Sequence, residues 1–275
     1  MFRVSSRTTF MPEQAPHEII TERADSKLMQ AAVHAVEKIQ KSSARTIWEL
    51  FPEITERVEG TYAQLKAAGR KIHHHDLLHA KRVGEIAHRV ALDEWGDEHQ
   101  SHLAGIAGLV HNADRTIQAE KGLDRKKVPR DKVIVRIKNW IQGDLSETDM
   151  ATVIDAVLGH DGKNAPEDSN VQIALQDGDR VVNLDADLLP RSGQFYSDLP
   201  VIDVIHFLAD PEATYRHPKS VLRDIAYSLD WVNPESDVCV RTRLGKEMAM
   251  ERARFFEVFF TMLKRQLREE GIEVE

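Results

Sequence analysis

Apolar residues in this chain return at the three- and four-residue spacing of a helix face in segment after segment, and almost nowhere at the two-residue spacing of a strand. Leu28, Ala31, Ala32, Ala35, Val36 and Ile39 form one such stripe. Val83, Ile86, Ala87, Val90 and Ala91 form another, and Leu103, Ile106, Ala107 and Val110 a third. Residues 129–141, 147–158 and 171–184 carry the same period, followed by a helix near 220–232 and a long one over 241–270. A further helix is expected over Phe51–Gly69, with Pro52 near its start and Gly69 near its end, the asymmetry of helix termini. No Asn-Gly or Asp-Gly pair has strand-like flanks on both sides. The pattern predicts an all-α helical bundle. Helices within 26–71 would pack as a layer on a core domain over 72–270, which includes a loop-rich stretch over 190–218. Residues 1–25 mix Ser, Thr, Pro, Gln and charges without period and are expected to form a flexible arm.

Composition narrows the function. The chain has 275 residues, 41% of them hydrophobic, enough for a substantial core. A net charge of −8 argues against a dominant nucleic-acid surface, because phosphate backbones are bound by clustered Lys and Arg. The single cysteine, Cys239, excludes an intramolecular disulfide and a cysteine-based zinc site. No run approaches the roughly 18 apolar residues of a membrane span, and no secretory leader opens the sequence. The expectation is a cytoplasmic protein with no membrane partner. Gly-rich phosphate loops, Gly-x-Ser-x-Gly elbows and dinucleotide fingerprints are missing, which removes three common enzyme classes. Phe255, Phe256, Val258, Phe259, Phe260, Met262 and Leu263 make the last helix too broadly apolar for a narrow seam. Core packing or a homodimer contact would absorb that surface.

Three separated segments each place a metal-binding side chain beside an apolar helical stretch: His79 in His75-Asp76-Leu77-Leu78-His79-Ala80-Lys81-Arg82-Val83, then His111-Asn112, then Asp177-Gly178-Asp179-Arg180. These segments resemble the HD superfamily of metal-dependent phosphohydrolases, whose pattern is a histidine, a His-Asp pair and a distant aspartate. The first matches the His-Asp-x-x-His-x-x-Arg-Val opening of a small bacterial branch. Ala107-Gly108-Leu109-Val110-His111 stands where that family has the apolar run before its His-Asp. Gln176-Asp177-Gly178-Asp179-Arg180 is similar to its Asp-Ala-Asp-Arg, and residues 245–254 to its closing helix.

The resemblance implies an HD-like fold with His79, His111, Asn112 and Asp179 as metal ligands. Imidazoles and a carboxylate suit manganese, iron, cobalt, nickel or zinc, and they leave positions open for water and a phosphate oxygen. The implied substrate is a phosphorylated small molecule, possibly a nucleotide. Asn112 stands where the family has aspartate, and an amide oxygen coordinates without bringing negative charge. Three readings stay open: Asp114 supplies the missing carboxylate, Asn112 suffices, or catalysis is lost and the domain binds a nucleotide or a protein partner.

Around these ligands, His75 lies four residues before His79 and would share its helix face toward substrate. Asp76 could simply cap that helix. His160 is either a pocket residue, able to act as a general acid, or a hydrogen-bonded core histidine. Arg115, Lys126 and Lys127, with Lys121, Arg125 and Arg130 nearby, are candidates for phosphate oxygens or an ordinary charged loop. Arg82 and Arg180 are expected to orient carboxylates beside the ligands.

Overall fold

The computed structural model describes residues 45–70, 72, 75–123 and 128–274. The expected arm and the helix over 28–39 lie outside the described residues. Every regular element among those described is helical, and the single β-type contact is an isolated bridge between Thr214 and His217. The all-α class is therefore the one the periodicity predicts. In chain order the helices are α1 (Ile47–Leu50), α2 (Pro52–Ala67), α3 (Leu77–Trp95), α4 (Glu98–Val110), α5 (Ala113–Lys121), α6 (Arg130–Ile141), α7 (Glu147–Gly159), α8 (Asn170–Val182), α9 (Leu188–Phe195), α10 (Val221–Tyr227) and α11 (Arg243–Glu269). None of them is long and apolar enough to cross a membrane.

Local chemistry sets the ends. Asp76, Asp97, Ser146, Ser169 and Ser220 each accept a backbone N–H from three residues on, satisfying a donor that the first turn leaves unpaired. Gly96 and Gly122 close α3 and α5 in the left-handed conformation, with φ of 65° and 61°. Pro190 was read as part of a loop, yet it falls in the first turn of α9, where its missing N–H costs no helical hydrogen bond.

Helices α3, α4 and α8 make the centre, and they approach closely enough that only glycine fits at the contacts. A Cβ on Gly108 would stand 2.5 Å from the Cα of Gly84, and one on Gly178 would stand 2.9 Å from the amide nitrogen of Ala87. Ile47 of α1 fills the notch at Gly105. Helix α2 buries Ile54, Val58 and Leu65 and is tied to α6, where Arg57 donates to the Trp140 carbonyl at 2.6 Å and Trp140 Nε1 donates to Thr61 at 2.9 Å.

The long helix α11 is anchored by Asp177 of α8. That carboxylate is fully buried and accepts the backbone N–H groups of Arg241, at 2.9 Å, and Thr242, at 2.7 Å. Phe256 and Phe260 of α11 enter the core, whereas Phe255, Val258 and Met262 stay exposed. Core packing thus takes part of the broad apolar surface expected from the sequence, and the remainder faces outward.

Candidate metal centre

The glycine contacts bring three distant side chains together. His79 sits one turn into α3, His111 caps the C-terminus of α4, and Asp179 lies on α8 beside Gly178. Their ligand atoms all fall within 4.8 Å of one another, so the cluster could hold a metal ion. Asp179 Oδ1 is the meeting point, 3.1 Å from His79 Nε2 and 3.8 Å from His111 Nε2. The same motif has a second face: Asp177 holds α11, while Arg180 donates to Asn164 at 2.7 Å and to the Cys239 carbonyl at 3.0 Å.

The protonation of His111 follows from its geometry. Its Nδ1 lies 2.6 Å from the Gly108 carbonyl, which can only accept, so Nδ1 carries the proton and Nε2 presents a lone pair to the cluster. Burial pushes the imidazole down to about 3, against a rise from the nearby Asp179, so the ring is neutral at physiological pH. His111 Nε2 and both ring nitrogens of His79 are buried and have no hydrogen-bond partner among the described residues. A buried lone pair without a donor is costly in a protein interior, and a cation facing it removes that cost. The residues present therefore fit a divalent ion.

Burial pushes the Asp179 carboxyl up, but His79 at 3.1 Å and the surrounding His111 and His160 together hold it below the ordinary carboxylate range. Asn183, one turn further along, donates to Asp179 Oδ1 at 2.9 Å and itself accepts from Arg191 at 3.2 Å. That positioning pair had no signal in the sequence beyond its i+4 spacing. Arg82, expected beside the ligands, pairs with Asp185 and with Asp187, the latter at 2.8 Å.

Asn112, next in sequence to His111, is 3% exposed. Its Nδ2 is buried and has no hydrogen-bond partner among the described residues, while the nearby Tyr62 hydroxyl donates to the His75 carbonyl at 3.1 Å. The chain breaks helix geometry at His111–Asn112 and starts α5 at Ala113, which puts Asp114 in the first turn. Asp114 lines the same cavity as His111 and Asp179, although it is not one of the three clustered ligands. Its Oδ1 accepts the backbone N–H of Arg115 at 2.8 Å.

That cavity has a volume of about 920 Å³, at the upper end of the range for small-molecule sites. His75, Arg115 and His160 line it as well. His160 repeats the arrangement of His111: it caps α7, and its Nδ1 lies 2.6 Å from the Val157 carbonyl. The two rings stand 5.4 Å apart in an edge-on pair. Arg130 and Arg216 add positive charge to the lining, while Lys126 and Lys127 lie outside the described residues. The lining also holds Tyr196, Tyr215, Asp224 and Trp231. Asp224 and Trp231 fall in the helix expected over 220–232 and Tyr196 and Tyr215 in the loop-rich stretch, but nothing in the sequence marked any of the four as part of a site. No protein-family model matches the chain, and no curated protein matches it.

Proposed function

We propose that this chain is a metal-dependent phosphohydrolase of the HD type, cleaving a phosphate ester or anhydride, with a nucleotide as the favoured substrate class. The observation that carries this reading is the buried, unpartnered Nε2 of His111 directed with His79 at one Asp179 oxygen, on the lining of a cavity with three arginines. A divalent transition-metal ion held by His79, His111 and Asp179, with Asn112 next in sequence to His111, would supply an acidified water and a polarised phosphate oxygen.

The chain's own groups supply the rest. Arg115 and Arg130 pair with phosphate oxygens, Arg115 from a position where burial lowers its guanidinium and Asp114 and Asp179 raise it. His160, its Nδ1 fixed by Val157, offers Nε2 for proton transfer at the leaving oxygen. Asp114 accepts a proton or a hydrogen bond from the attacking water, and His75 meets the substrate from the α3 side.

A second reading, a catalytically silent domain that binds a nucleotide or a protein partner through the same cavity, is favoured by one observation. Asn112 brings no charge, and its buried Nδ2, a donor that repels rather than binds a cation, has no hydrogen-bond partner among the described residues. Elemental mass spectrometry of the purified protein, after incubation with manganese, nickel or zinc and desalting, separates the two. Stoichiometric metal together with hydrolysis in a nucleotide screen supports the phosphohydrolase; no retained metal overturns it. Asn112→Asp then grades the site. A rise in metal affinity and turnover of roughly tenfold or more marks the wild type as a weakened scaffold, and little change marks a site that works with asparagine.

A further inference from the structure

The cavity lining contains, besides the residues of the candidate metal centre, a carboxylate that the proposed chemistry does not use. Asp224 of α10 is half-buried and faces the cavity beside Tyr196, Tyr215, Ser228 and Trp231. Its hydrogen-bond partner is Ser192 of α9, which is 3% exposed and donates to Oδ2 at 2.6 Å. No basic side chain pairs with it among the described residues; the adjacent Arg223 instead stacks on the Tyr227 ring at 4.4 Å. Burial pushes the Asp224 carboxyl up, and the Ser192 hydroxyl only partly offsets this.

A carboxylate in such a place, short of donors and flanked by aromatic rings, has the chemistry of a reader for a flat group with N–H donors. Two carboxylate oxygens accept two parallel N–H bonds, and each oxygen retains capacity beyond the single hydroxyl of Ser192. The edges of the bases then decide. Adenine and cytosine present a donor next to an acceptor, and uracil and thymine present a donor between two acceptors. Guanine alone sets N1–H and the 2-amino group side by side. The rings of Tyr196, Tyr215 and Trp231 offer faces for stacking such a base.

We propose that Asp224, with Ser192 behind it and the aromatic wall around it, is the specificity subsite that selects a guanine base. This deepens the phosphohydrolase reading and rests on it in placing the phosphate at the His79–His111–Asp179 centre.

Guanosine, inosine and adenosine carry no phosphate, so their binding to the full-length protein, read by isothermal titration calorimetry, is independent of that centre. Guanosine is expected to bind roughly tenfold or more tightly than inosine, which lacks only the 2-amino group, and than adenosine. Asp224→Asn keeps an oxygen for Ser192 and the same volume, and it is expected to bring the three affinities together. Equal binding of guanosine and inosine, no binding of any of the three, or a preference that survives Asp224→Asn overturns the inference. If the variant does not fold, the wild-type comparison of guanosine with inosine decides alone. Guanosine preference without hydrolysis of GMP, GDP or GTP sinks the phosphohydrolase and leaves the subsite. Equal hydrolysis of GMP, IMP and AMP with no guanosine preference does the reverse.

Discussion

The two sides of the cavity are built on different physical terms. On the side that carries His79, His111 and Asp179, helices α3, α4 and α8 meet backbone against backbone at Gly84, Gly108 and Gly178. On the side formed by residues 188–231, the helices are short, Phe207 and Lys219 sit at positive φ, and Val201, Val204, Ile205 and Tyr215 are exposed. A hydroxyl–carboxylate bond, Ser192 to Asp224, links α9 to α10 there. The contrast teaches where precision is needed. The groups that converge on one carboxylate oxygen are fixed by close-packed helices that cannot slide without opening a void, whereas the other wall of the cavity is held by shorter and more loosely packed elements.

The largest test of that contrast is Gly108→Ala. Its methyl would stand 2.5 Å from the Gly84 Cα and 2.6 Å from the Gly84 nitrogen, both backbone atoms that have no rotamer to yield. Separating α3 from α4 is the remaining response, and a loss of about 3 kcal/mol is expected, at the top of the overpacking range. Urea unfolding measures it, and a loss below about 1 kcal/mol would mean that the two helices are not locked as described. Because His79 and His111 lie at the ends of those helices, metal retention should fall in step with stability.

A smaller effect comes from protons. The His111 imidazole is depressed to about 3 in the folded protein and titrates near the ordinary 6.5 when unfolded, so the unfolded chain binds the extra proton. Folded stability therefore falls as pH drops from about 6.5 toward 3, and it is fully present above that window. Asp179 limits the loss, since a protonated His111 would face a carboxylate. In metal-stripped protein, the unfolding free energy of wild type minus that of His111→Gln should decline on acidification. A flat difference would show that His111 is not buried neutral.

Most of the fold was legible because an amphipathic helix writes its buried face into the sequence at a fixed spacing. The stripes from Val83 to Ala91 and from Leu103 to Val110 became α3 and α4, and the residues following Ser146 and Ser169 became α7 and α8. Helices α1 and α9 were not legible, being too short to display a period, and α5 was hidden by its charged composition. At the site, the juxtaposition of His79, His111 and Asp179 was anticipated from motif wording, since each ligand is tied to a helix end or to a glycine contact. The Asn183 hydrogen bond and the wall with Tyr196, Tyr215, Asp224 and Trp231 were not, because periodicity tells which residues share a helix face but not which faces of separate segments meet at one cavity.

The smallest effect comes from a glycine on the looser side. Gly193 lies inside α9 with ordinary helical backbone, and nothing stands within 4 Å of where its Cβ would be. Glycine in a helix interior costs roughly 0.5–1 kcal/mol relative to alanine, chiefly through the freedom it gives the unfolded chain. Gly193→Ala is thus expected to stabilise by that amount in the same urea experiment in which Gly108→Ala destabilises. The two substitutions add the same methyl group to the same kind of element, so their opposite signs isolate packing from propensity. A clear loss at Gly193 would place the α9 wall in the same tightly packed class as α3, α4 and α8, and the division between a rigid side and a looser side of the cavity would fail.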